Sequence, residues 1–285
     1  MNSIILTTVA LLVSAISATP IPSNEYSPEL AKAAMELSVD VYDEGAIRDS
    51  LEGYGFTEIE TYNHGIGFNF NQPTFAYAEK TTEDGERVVA IVVRGTYSIS
   101  NWVTNIIVGA DEEHGGFSES RDYILDKIPP ICTDTTYFVT GYSYGGAIVN
   151  LLAVELMEFG VPQEQVYAYT FATPNVIRSS EPLTEYDNIF NLLNRLDFVT
   201  VVPTHVVGEE WSRYGKDIWF RKDVYSTSFI THIKNVYLDF VSEMHVLNED
   251  GNIGDISEED PDMRATVKEW DRTERLSLRR KKIYK

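Results

Sequence analysis

Tyr137 to Thr140 is a short apolar run that leads straight into Gly141-Tyr142-Ser143-Tyr144-Gly145-Gly146. Behind those residues, Ala147 to Phe159 is apolar almost all round a helical projection, and Gly160 and Pro162 close it. A buried strand, a glycine-bracketed turn and a helix without a polar side leave few arrangements open: each needs cover on both sides, which a sheet between helices supplies.

The flanking segments repeat the pattern. Val88 to Val93 is apolar without alternation, as a strand buried on both faces should be, and the polar turn Thr82-Glu83-Asp84-Gly85 joins it to a strand over Thr74 to Glu79. Phe117 to Ile128 reads as an amphipathic helix closed by Pro129-Pro130, and Val166 to Phe171 and Ile189 to Leu193 read as two further strands. Nearer the start, Ser27 can cap a helix running to Glu44, with Pro28 at its first position and Gly45 as the stop. Strand and helix alternate, which predicts an α/β fold with a mainly parallel central sheet and helices on both faces.

The 285 residues fit one large domain or two small ones. The 44 acidic side chains against 23 basic ones give a net charge of -21, which repels phosphate backbones and argues against a nucleic-acid partner. The imbalance is uneven. Glu249 to Asp262 holds seven carboxylates, whereas Arg264 to Lys285 has nine basic residues and three acidic ones, so residues 249–285 are expected to form a solvated acidic-then-basic tail. At the other end, Ile4 to Ala18 is an apolar run too short for a permanent span, with Ala15 and Ser17 at the spacing of a cleavage site. Residues 1–18 are therefore expected to be a cleaved signal peptide, residues 19–248 the folded domain, and the product secreted without a stable membrane anchor. Cys132 is the only cysteine, so no internal disulfide is available, and it is expected to be a buried passenger.

Gly141 to Gly145 is a G-x-S-x-G leaving a buried strand and opening a buried helix, the setting of a nucleophile elbow. The glycines let strand and helix backbones pass closely, and Ser143 would stand beside the positive end of the helix. A serine nucleophile needs a base, an orienting acid and donors for an oxyanion. Asp197, at the end of the strand-like Asn191 to Leu196, is a candidate acid. Of five histidines, His232 and His245 follow it with room to return to the same sheet edge. His232 opens a stripe of Ile233, Val236, Tyr237, Phe240, Val241 and Met244 at helical spacing, so a helix N-terminus would keep its imidazole neutral. His245 sits at the far end, where the charged form is favoured, and stands as the alternative base.

Five stretches together resemble the fungal-type (class 3) lipases of the α/β-hydrolase superfamily. Arg94-Gly95-Thr96-Tyr97-Ser98-Ile99-Ser100-Asn101-Trp102 is similar to the family's R-G-[ST]-x-S-x-x-N-W, and His114-Gly115-Gly116-Phe117 to its H-x-G-F. The turn around Ser143 and Phe171-Ala172-Thr173-Pro174 follow, and Asn194 to Val199 resembles N-x-x-D-x-V. The resemblance covers roughly Val92 to Phe220. It implies the α/β-hydrolase fold, Ser143 as nucleophile, Asp197 as acid, and oxyanion donors at Thr96 and at the Tyr144 amide. It also implies a short helical lid over about Ile99 to Val108, with Ile99, Trp102, Val103, Ile106 and Ile107 supplying its apolar face. Around the base, His232-Ile233-Lys234-Asn235-Val236-Tyr237 departs from the family's usual D-H-x-x-Y-[FY].

These readings converge on a secreted serine carboxylic-ester hydrolase, a triacylglycerol lipase working through a Ser-His-Asp triad and an acyl-enzyme at a lipid–water interface. No metal or organic cofactor is implied. Feruloyl-type or short-chain esterases and phospholipases are the rivals within enzymes, and a catalytically inactive lipase-like binding protein is the rival outside them. Chain-length preference and oligomeric state stay open.

Overall fold

In the computed structural model, the described residues are 21–65, 71–96, 115–179, 183, 185–195, 197–203, 210–220 and 236–242, and the statements below concern these. His232, His245, the five lid residues from Ile99 to Ile107, the expected signal peptide and the 249–285 tail all lie outside them.

The apolar runs become the middle of one seven-stranded sheet. Its strands are β1 (Glu58–Tyr62), β2 (Phe75–Thr81), β3 (Arg87–Val93), β4 (Thr136–Tyr142), β5 (Val166–Phe171), β7 (Ile189–Asn194) and β9 (Lys216–Phe220), side by side in that order. β1–β2–β3 is an antiparallel meander, and from β3 onward every neighbour is parallel. β6 (Ile177–Arg178) and β8 (Trp211–Ser212) form a separate two-stranded antiparallel pair. The parallel strands β4, β5 and β7 are buried at nearly every position, as unalternating sequence requires.

Helices cover both faces. α1 (Pro28–Asp40) lies against the β4 residues that point one way: Thr140 donates to the Ala34 carbonyl at 3.2 Å and meets the Ser38 hydroxyl at 3.0 Å. Gly141, the next residue, faces the opposite way and lies against α4 (Tyr144–Glu158). α3 (Gly115–Lys127) packs outside α4, where Arg121 pairs with Glu155 at 3.3 Å.

Two sequence expectations need correction. Ser27 does cap α1, accepting from the Leu30 amide at 3.2 Å, but the helix ends at Asp40 and not Glu44. Gly45 lies inside a second helix, α2 (Glu44–Gly53), because Asp43 accepts from the Ala46 amide at 2.9 Å and Ile47 and Leu51 bury one turn apart. Cys132 is half-buried, its thiol over the Pro130 carbonyl at 3.6 Å, and not a core residue. No helix among the described residues is long and apolar enough to cross a membrane.

Candidate active site

Only one residue separates β4 from α4, and it is Ser143. Its φ of 58° with ψ of -119° is a conformation that side-chain-bearing residues avoid. The surroundings impose it. The Ser143 amide donates to the Phe171 carbonyl at 2.7 Å, and the Ser143 carbonyl accepts the first bond of α4 from Ala147 at 3.1 Å. Backbones meet where side chains would not fit: a Cβ at Gly141 would lie 2.5 Å from the Gly145 carbonyl oxygen, and one at Gly145 would overlap the Val93 carbonyl. The Ser143 hydroxyl is enclosed, with 1% relative exposure, and has no hydrogen-bond partner among the described residues.

Beside it, the β3–β4 register pairs Val93 with Gly141, so the chain leaving β3 through Arg94 and Gly95 emerges next to the Ser143 turn. Gly95 rests on the Tyr142 carbonyl, leaving 2.5 Å for a Cβ. Thr96 follows, 2% exposed, its hydroxyl likewise unpartnered among the described residues. The Tyr144 amide belongs to the first turn of the fifteen-residue α4, ahead of the first ladder bond and at the positive end of the helix. Its side chain leaves for α3, where the phenol and the Ser120 hydroxyl meet at 2.6 Å.

Asp197 stands just beyond β7, at the same carboxyl edge of the sheet two strands away from β4. It caps the 3-10 turn Phe198–Val201 through Oδ1, which accepts from the Val199 amide at 3.0 Å. Its Oδ2 accepts from the Tyr237 hydroxyl at 3.1 Å, and its carbonyl from the Thr200 hydroxyl at 2.7 Å. Burial pushes the carboxyl up to about 7, and those two donors only partly restrain it. Arg213 links this turn to the loop after β5: its guanidinium donates to the Thr173 and Thr200 carbonyls and to the Asp217 carboxylate.

The structure thus gathers Ser143, Thr96, the Tyr144 amide and Asp197 along one sheet edge. Sequence reasoning missed Tyr237 and Arg213. Tyr237 read as one position of an apolar stripe, and nothing local marks either residue as touching this edge. Of the histidines, His64 alone is described; it is half-buried, burial lowers its pKa, and it bonds neither Ser143 nor Asp197. Among the described residues, no cluster of His, Cys, Asp and Glu is placed to hold a metal ion.

The family described as Lipase (class 3) matches residues 90–207, a span holding Thr96, Ser143 and Asp197. Among sequence relatives, a secreted mono- and diacylglycerol lipase A of Penicillium cyclopium is 25% identical over 179 residues, covering 54% of this chain and 58% of the relative. A lipase of Rhizomucor miehei is 29% identical over 110 residues, 33% of this chain and 30% of the relative. The chain therefore spans little more than half the length of the curated relatives it matches at best. In three dimensions, a fungal lipase–inhibitor complex superposes with a TM-score of 0.52 at 21% identity, over 70% of this chain and 82% of the other. That likeness establishes the α/β-hydrolase fold.

Proposed function

We propose that this chain, whose residues 90–207 belong to the class 3 lipase family, is a secreted serine ester hydrolase that cleaves acylglycerols. The observation that carries this reading is the strained backbone of Ser143. A positive φ in a non-glycine residue is kept where the rest of the fold enforces it, and such strain gathers at reactive positions. Here it holds a hydroxyl without a hydrogen-bond partner among the described residues, beside Thr96 and at the head of α4.

In this mechanism Ser143 Oγ attacks the ester carbonyl while the imidazole of His232 takes its proton. Asp197 orients that imidazole, and the amides of Thr96 and Tyr144 receive the oxyanion. The alcohol leaves with the proton from the imidazole, and water, activated by the same base, cleaves the acyl-enzyme. Removing an oxyanion donor costs about 10²–10³ in kcat in comparable sites. His232 is taken over His245 because in the sequence it opens the apolar stripe that contains Val236 and Tyr237, where a helix N-terminus would keep an imidazole neutral. The names of the relatives, secreted mono- and diacylglycerol lipases, support acylglycerol as substrate and export as destination.

A fluorophosphonate probe tests the reading. Labelling should fall on Ser143, and both labelling and p-nitrophenyl ester hydrolysis should vanish in Ser143→Ala. An unlabelled wild type would point instead to a binding protein built on the same fold. Activity that rises sharply when a long-chain ester passes from solution to emulsion identifies a lipase, and its absence a short-chain esterase.

A further inference from the structure

We infer that Tyr237 is a positioning residue for the acid: its hydroxyl, held by the Asn194 amide, donates to Asp197 Oδ2, favours the ionised form of that carboxyl and turns it toward the base. The inference rests on Asp197 being the acid of the proposed triad.

The direction of this relay is fixed by what each group can do. The Asn194 amide can only donate, and it donates to the phenol oxygen at 2.8 Å. Once Asp197 is ionised it can only accept, and the phenol hydrogen is directed to its Oδ2 at 3.1 Å. Chained donors polarise one another, so the amide strengthens the phenol as a donor. The ring cannot swing away. It is fully buried, edge-on to Tyr142 with centroids 5.9 Å apart and edge-on to Phe220 at 5.0 Å.

The groups around the carboxylate explain why one hydroxyl should matter. Tyr142 faces it from β4 with Tyr42 behind, and burial holds the Tyr142 phenol neutral. Arg213, a cation that acts on Tyr237, spends donors on Asp217 and two carbonyls. Among the described residues no cation bonds Asp197. Among the described residues, the Val199 amide and Tyr237 are what opposes the burial that pushes its carboxyl up. Tyr237 is the one of these two that belongs to a side chain and to a distant element. With its bond made, Oδ2 keeps one lone pair free and the carboxylate plane is pinned at two points.

The test is the pH profile of kcat/KM for Tyr237→Phe on a short soluble ester. Losing one hydrogen bond to a charged oxygen should move the acid limb up by about one pH unit. At the foot of that limb kcat should fall about tenfold, with KM held within about twofold and the loss shrinking toward alkaline pH. Loss of structure alone would instead lower activity equally at every pH, in step with the fraction of Ser143 that a fluorophosphonate labels. An unmoved limb overturns the inference. In an Asp197→Asn background, Tyr237→Phe should cost nothing further, and additive losses would overturn it too. Should the phenylalanine variant fail to fold, 2,3-difluorotyrosine placed at residue 237 keeps the ring and strengthens the donor; the limb must then move down, and a stationary one is again fatal. A wild type that hydrolyses nothing and labels nowhere defeats the triad itself, a result distinct from an active enzyme whose limb ignores residue 237.

Discussion

Asp197→Asn should make the protein more stable at alkaline pH while sharply lowering, but not abolishing, its activity. In the folded chain, burial raises the Asp197 carboxyl from its ordinary 3.8 to about 7. A raised carboxyl favours the fold fully only below the unfolded value, and that contribution is lost as pH climbs through the folded one. The window is therefore 3.8 to about 7. At about 1.4 kcal/mol per pH unit the loss amounts to about 4 kcal/mol on the alkaline side. An imidazole donating to the free lone pair would return about one to two pH units of this without reversing the sign. Asparagine carries no charge and escapes the penalty. Near pH 4 the wild-type carboxyl is protonated and offers one good acceptor oxygen, as asparagine does, so the two proteins should match within about 1 kcal/mol. Near pH 8, with the imidazole's return included, the variant should be more stable than wild type by about 1–3 kcal/mol. Urea unfolding of both proteins at the two pH values measures the difference directly, since every other titrating group cancels between them. A difference that stays constant with pH, or that favours wild type increasingly as pH rises, would refute the assignment of burial as the dominant cause.

The backbone around Ser143 gives two further expectations. Ser143→Gly should be about 1 kcal/mol more stable than wild type in urea, because glycine accepts the positive φ, against a smaller loss of chain entropy; a destabilised variant would show that the turn is not strained. Gly145→Ala places a methyl on the Val93 carbonyl and within 2.9 Å of the Arg94 backbone, so it should cost about 1–3 kcal/mol and slow fluorophosphonate labelling by shifting Thr96. Unchanged stability, or the gain that alanine gives in an open helix, would contradict that close approach.

The sequence was most legible where structure is local. β3, β4, β5 and α4 announce themselves as apolar runs without a polar face, and the Ser143 turn follows from its glycines because strand, turn and helix are contiguous. β1 and β9 were not legible. They are the two edges of the sheet, half-exposed, and Glu58, Glu60, Lys216 and Asp217 interrupt any apolar pattern. The α1–α2 break was misread because Gly45 looks like a terminator until Asp43 is seen capping a new helix behind Val41. Thr96 and Asp197 could be placed at strand ends from sequence. Tyr237 and Arg213 could not, since each acts across forty residues, on Asp197 and on Thr173 respectively, where no periodicity points.

Arg213 carries a consequence for how Ser143 and Asp197 keep their distance. Phe171, two residues before Thr173, clamps the serine amide, while Thr200 bonds Asp197, and one guanidinium grips both stretches. Serine and carboxylate are thereby yoked through a single planar fork, which a lysine ammonium has neither the breadth nor the shape to replace. Neither stretch can shift against the other without breaking a bond to that guanidinium, so the separation of Ser143 and Asp197 is tied to one side chain.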